Sequence, residues 1–367
     1  MFSNNNFISL RQLKFLLILD IFGIIITTLP RKLAEYGGQN GWLILVIALI
    51  FAYICLYIIN SLASLFPEDT FYTYTSKIIG KPLAYFLSIL FVFKIIIGVS
   101  FELRIFSEIL KEIILFNTPF WATSISMLLL SSYMATKGYE ARGRIAEILI
   151  YIVFIPLAFV FFIALFDVDF SNLKPFLKEI DSKKFLDGSI YTLFHFSALE
   201  FILLVYPYIK DKKNVKNATK NGLIFVGIIM VLISVITIAR FGKYDISHQM
   251  WPVLEMMDTI NLPGSFIERQ DAFIMTFWII SIFMILNSSI FFSSLILKDS
   301  IKKGTHKTYI YIFIPIIYLI SLIPKNISQV YGLREIFYKY FGILYILIIP
   351  LILLIIAKFR GFKNEKI

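Results

Sequence analysis

The chain of 367 residues is 59% hydrophobic and 16% charged, against about 25% charged in ordinary soluble domains. That much apolar surface cannot be hidden in a water-exposed fold, which excludes a soluble globular class and leaves a polytopic membrane protein. The net charge of +11 is what Lys- and Arg-rich cytoplasmic loops supply, so no nucleic-acid partner is expected. A single cysteine, Cys55, excludes an internal disulfide and a Cys-based metal site. His195, His248 and His306 lie far apart, so no metal or cofactor is expected. With no Walker loop, HExxH or GxSxG in the chain, an enzyme is not expected either.

A helix needs about 20 apolar residues to cross the hydrocarbon core, and a helix satisfies its backbone within the segment. Ten stretches qualify: 12–30, 41–65, 83–110, 120–136, 144–166, 188–208, 221–241, 266–297, 308–323 and 331–357. Ahead of them, MFSNNNFISLRQLK has no small-residue cleavage site, so no removable signal peptide is expected. Span one contains LDIFGIIITTLP, with Asp20 and Gly23 inside the apolar run and Pro30 at its end. A charge near the bilayer centre costs about 2.5–3.5 kcal/mol, so Asp20 must face the bundle interior and find a partner. Gly23 weakens a helix by about 1 kcal/mol relative to Ala. It reads either as a break lining a cavity or as a close contact between helices.

In span three, Lys94 falls near the midplane. VSFELR places Glu102 and Arg104 nearer the outside, two apart on one helix and so unable to face each other. Span six, FHFSALEFILLVYP, again sets a carboxylate, Glu200, among small and polar residues and ends in a proline. Lys94 is expected to pair with Asp20 or Glu200, leaving the other acid for a proton, a cation or a ligand amine. A purely structural polar network is the alternative. His195, beside this segment, reads as a satisfied or water-facing histidine, with a proton relay as the second possibility. In the outer stretch WPVLEMMDTI, Pro252 suits the first turn of a short helix with Val253, Met256, Met257 and Ile260 on one apolar face. That helix is either a lid over an outer vestibule or a surface packing element. Span eight opens FIERQDAF, and pairing of Arg104 with Glu268, or of Glu102 with Arg269, would brace spans three and eight.

With the N-terminus inside, the densest basic clusters, KDKKNVKNATK and KDSIKKGTHK, both fall on the inner side. Both termini are therefore expected in the cytoplasm. Short connections make residues 1–367 one transmembrane domain. Five spans per half would invert the second half (188–357) relative to the first (12–166). Spans one and six, each with a mid-span carboxylate and a terminal proline, would be the interrupted helices that point to a transporter's site. Such a break offers helix N-termini to a carboxylate and free carbonyls to a cation. An amino acid needs both, and Phe22, Phe194 and Phe196 would enclose its side chain.

LPRKLAEYGGQNGW after span one, VSFELR, Trp251–Pro252 and FIERQDAFIMTFWII resemble, in order over about residues 8 to 360, the endospore germination permeases. These are the B subunits of nutrient germinant receptors, within the amino acid–polyamine–organocation transporter superfamily. The resemblance implies an all-α integral membrane protein with about ten transmembrane helices. They would form a LeuT-like inverted five-plus-five repeat with helices one and six broken. It implies ligand contacts at Gly23 and Ile24, at Gly98 and Glu102, at Ser197, Ala198 and Leu199, and at Ile285 and Ser289. Asn287 joins them on chemistry alone. Ile25 and Ala198 stand where glycine is common in that family, which narrows the expected pocket. The implied surroundings are A and C receptor subunits, membrane lipid and the inner membrane of a spore, with a small nutrient, an amino acid, as ligand. Two other readings stand beside this receptor: a proton-coupled amino acid transporter working through Asp20 or Glu200, and a scaffold subunit with a vestigial pocket.

Overall fold

The structure, a computed structural model, describes residues 7–25, 28–178, 180–258 and 270–362, with the side chains at 24–25, 257–258 and 270–274 outside the description. The chain runs through α1 (Leu10–Ile25), α2 (Leu29–Gly37), α3 (Gly41–Ala63), α4 (Phe71–Ile79), α5 (Lys81–Ile113), α6 (Phe120–Thr136) and α7 (Tyr139–Ala164). It continues through α8 (Ser182–Leu193), α9 (Ile202–Val205), α10 (Val215–His248), α11 (Pro252–Asp258) and α12 (Gln270–Ile301). It ends with α13 (His306–Ser321), α14 (Ile327–Ile343) and α15 (Ile349–Phe359). Among the described residues the only β pairing is an isolated bridge between Ile8 and Ile209. The bridge ties the segment before α1 to the chain beyond α9, so these two segments lie on one side of the bundle.

Each predicted span overlaps a helix. Among the described residues, seven helical segments are long and apolar enough to cross a membrane. The helices α1, α6 and α13, with 16, 17 and 16 residues, fall short of the usual length. Exposed apolar side chains recur at helical spacing, as Ile50, Ile54 and Tyr57 on α3 and Ile148, Ile155, Phe159 and Phe162 on α7. Stripes of that kind suit lipid and would be a liability in water. The α8–α9 and α12 segments are the most enclosed, with 83% and 78% of their apolar windows buried against 33% for α7. The helix α1 packs against α7, α10 and α12 and against the chain linking α8 to α9.

Two expectations for span one need correction. Pro30 does not close the span: α1 ends at Ile25, and Pro30 lies in the first turn of α2, where its missing N–H goes unneeded. Gly23 is not itself the break: it sits within α1, two residues before that helix ends at Ile25, and the next helix begins at Leu29. Span six does change character. After α8 the chain tightens into a 3-10 stretch, Phe194–Phe201, with Phe196 at φ −89°, ψ 19°, before α9 and a last 3-10 turn at Tyr206–Tyr208. Runs longer than about four residues are uncommon for this helix, whose hydrogen-bond geometry is poorer. Span ten is interrupted as well, by a π-helical turn at Leu344–Ile348 between α14 and α15.

Candidate functional site

Three buried charge groups sit among the described residues of the bundle. Lys94 of α5 donates to both carboxylate oxygens of Glu200 in the 3-10 stretch, and both side chains are almost fully buried. Of the two acids offered to Lys94, Glu200 is thus the partner. Asp20 has others: its Oδ2 accepts from Ser288 Oγ of α12 at 2.6 Å and lies 4.0 Å from Arg142 of α7. Arg142 also donates to Ser288, and its guanidinium lies 5.2–5.6 Å from the ring centres of Tyr139, Phe291 and Phe292. Asp20 is therefore not free, although its Oδ1 has no hydrogen-bond partner among the described residues.

Nearer the predicted outer side, Glu102 is 3.0 Å from Arg334 of α14. Arg104 meets Glu108 one turn along α5 at 2.5 Å, stacks 4.3 Å from the Phe120 ring and donates to the carbonyls of Ser321 and Lys325. Glu268 and Arg269, expected to pair with these two, lie outside the described residues.

The faces of α5 and α14 that meet carry matched residues. Glu102 meets Arg334. A Cβ at Gly98 would stand 2.7 Å from the Tyr338 hydroxyl, and Phe91 stacks on Tyr345 with ring centres 4.1 Å apart. Steps of four and then seven residues backward along α5 match equal steps forward along α14 and into the π-helical turn that follows it, so the two segments run antiparallel in register. Tyr338 also lies close to Ser197, and Lys94 lies 6.0 Å from its ring centre. The phenol thus occupies the crevice between Gly98 and Ser197, two of the expected ligand contacts.

A small cavity of about 20 Å³ lies beside this phenol, walled by Tyr191, Phe194, His195, Tyr331, Arg334, Glu335 and Tyr338. A vestibule of about 300 Å³ shares Tyr191, Tyr331 and Glu335 with it and adds Thr28, Arg31, Lys32, Met250, Ser328 and Gly332. Trp251, just ahead of α11, donates to the Tyr331 hydroxyl at 3.1 Å. Val253 and Met256 of α11 are buried, while the side chain of Met257 and the whole of Ile260 lie outside what is described. The expected short helix therefore exists, and the residue ahead of it is joined to a wall of the vestibule.

The other expected contacts are spread. Phe22 is fully buried against Phe154, ring centres 4.9 Å apart. Gly23 lets α1 approach α12: a Cβ there would lie 2.7 Å from the Ser281 carbonyl oxygen. The side chain of Ile24 is outside the description. Ala198, Leu199, Ile285 and Ser289 are buried. Ile285 lies on the α12 stripe, with Ser281 and Ser288, that meets α1, whereas Asn287 is turned from it. Asn287 is fully buried with neither side-chain atom hydrogen-bonded among the described residues. The structure therefore brings Gly98, Glu102 and Ser197 around Tyr338, and sets Phe22 and Gly23 against α7 and α12.

Arg142, Ser288, Arg334 and Tyr338 escaped the sequence reading. Arg142 sits in KGYEARGR, whose basic character reads as a cytoplasmic loop. On α14, Tyr331, Arg334, Glu335 and Tyr338 fall at i, i+3, i+4 and i+7. That polar and aromatic stripe on a membrane helix was a usable signal.

Residues 7–330 match the spore germination protein family. The chain is 28% identical over 371 residues to spore germination protein YndE of Bacillus subtilis (strain 168), covering all of both chains. It is 26% identical over 356 residues to spore germination protein GerLB of Bacillus cereus, covering 95% of this chain and 94% of the relative. It is 24% identical over 316 residues to spore germination protein B2 of Bacillus subtilis (strain 168), covering 85% of each. These matches bear out the resemblance read from the sequence, and the names are those of germination proteins, not of enzymes.

Proposed function

We propose, from the premise that this chain belongs to the spore germination protein family, that it is the membrane-embedded B-type subunit of a nutrient germinant receptor. Its ligand is a small nutrient, an amino acid, held between the 3-10 break of span six and the facing surfaces of α5 and α14. Its ten helices form an inverted five-plus-five repeat in the inner membrane of the spore, with both termini in the cytoplasm. The observation that carries the ligand reading is the 3-10 stretch Phe194–Phe201, two of whose residues, Phe194 and His195, wall a cavity together with the buried Arg334. Irregular backbone at membrane depth is tolerated where it lines a cavity or is buried in protein. Tyr338 fills the inner crevice, so ligand entry displaces it, and a ligand shifts such an equilibrium only by its difference in affinity for the two states. A and C subunits read that shift.

The two buried acids, Asp20 and Glu200, favour a second reading, a proton-coupled transporter, because both lie in the bundle where a coupling proton would be carried. Reconstitution into proteoliposomes separates the two. The receptor reading expects amino-acid-dependent thermal stabilisation of the purified protein without sustained uptake. Concentrative uptake driven by a proton gradient, with no partner subunit present, would overturn it.

A further inference from the structure

The inner cavity and the vestibule share Tyr191, Tyr331 and Glu335 as walls and so adjoin. A water molecule needs roughly 10–15 Å³, so the inner 20 Å³ takes no more than one polar group while Tyr338 fills the crevice beside it, and both charged ends of a ligand enter only as that ring is displaced. The vestibule, at about 300 Å³, is the size of a small-molecule site.

Two walls of the inner space are 4% and 7% exposed and keep a nitrogen without a partner among the described residues: His195 at Nε2 and Arg334 at Nε. Arg334 is held by Glu102 through Nη2, which leaves the Nε–H as a spare cationic donor. In His195, Nδ1 lies 3.2 Å from the Tyr191 carbonyl oxygen. A carbonyl only accepts, so Nδ1 carries the proton and Nε2 of the neutral ring is a spare acceptor. Buried polar groups are rarely left unpaired, and this pair consists of one donor and one acceptor.

A zwitterion complements such a pair, since its carboxylate only accepts and its ammonium only donates. We propose that an α-amino acid docks with its carboxylate on Arg334 and its ammonium on His195 Nε2, its side chain lying in the vestibule. Glu335, which walls both spaces, adds an anionic neighbour for the ammonium. Recognition of the ligand's charged ends then belongs to α14 and to the start of the 3-10 stretch, and not to the α1–α12 contact around Gly23. The inference rests on the amino-acid reading above.

The test uses the full chain in detergent. Binding is measured by calorimetry with L-alanine, L-valine and L-leucine, each beside its carboxamide and its 2-hydroxy acid. The carboxamide lacks the carboxylate and the hydroxy acid lacks the ammonium. Each analogue is expected to bind about tenfold or more weakly than its parent. Arg334→Gln should erase the preference over the carboxamide and keep the preference over the hydroxy acid. His195→Phe should do the reverse, a pattern that general loss of structure would not give. If carboxamides and hydroxy acids bind the unaltered protein as tightly as the amino acids, water alone fills the inner space and the inference falls while the amino-acid reading stands. That comparison needs no variant, so misfolding cannot mask it. Unchanged discrimination in a folded Arg334→Gln protein overturns the inference too. If no amino acid binds, the amino-acid reading fails and takes the inference with it.

Discussion

Lys94 and Glu200 lie 106 residues apart in sequence and bury their charges against each other. Removing one partner of a buried pair leaves an uncompensated charge, typically at about 3–5 kcal/mol. Lys94→Met should therefore lower the melting temperature in detergent, and Lys94→Met with Glu200→Met should recover most of the loss. A double variant as unstable as the single one would remove the pair from the account of stability. Gly23 makes a different prediction, because the group its Cβ would strike is backbone of α12 and cannot rotate away. Gly23→Ala should cost about 1–3 kcal/mol through overpacking, seen as a lower denaturation midpoint. A neutral result would mean that α1 and α12 are not in close contact there. That Lys94 needs an acid was legible in the sequence, because an unpaired charge in lipid is costly wherever the chain goes. That Arg142 belongs to the interior was not legible, because a basic residue at a helix start has a cheap alternative in the cytoplasm.

At the scale of elements, the antiparallel register of α5 and α14 gathers Glu102, Gly98, Arg334 and Tyr338 into one wall. Here the atom facing Gly98 is the tip of a side chain, so an added methyl can displace it. Gly98→Ala should push the Tyr338 hydroxyl out of its seat beside Ser197. Pairing Gly98→Ala with Tyr338→Phe should soften the loss of thermal stability caused by Gly98→Ala alone. If the two changes simply add, the hydroxyl is not what Gly98 accommodates. The weakness of span six was readable from its small and polar residues, a buried carboxylate and Pro207. The end of α1 was readable only in part: Pro30 was seen, but a proline both ends one helix and begins another, and only the next turn's packing shows which. The role of α14 went unread because its stripe of tyrosines and charges resembles a membrane-interface belt until α5 is placed against it.

At the scale of the molecule, sidedness gives the fourth prediction. The chain has one cysteine, buried Cys55, so a Cys55→Ser background suits single-cysteine mapping. A membrane-impermeant thiol reagent applied from outside should label Lys184→Cys, at the start of α8, and leave Lys213→Cys and Lys303→Cys unlabelled until the membrane is opened. The reverse pattern would invert the proposed orientation. The sequence by itself determined that the chain is a bundle of membrane helices, which stretches form them, that Lys94 must be paired and to which family the chain belongs. These follow from local costs: a backbone in lipid must bond within its own segment, and a charge there must be answered. Only the tertiary structure decided which charges answer each other, that Gly23 is a packing contact and not a break, and that Arg334, Tyr338 and His195 share one cavity. The physical reason is that those partners sit on helices far apart in sequence. Their meeting depends on how the helices cross and in what register, and no residue carries that information alone.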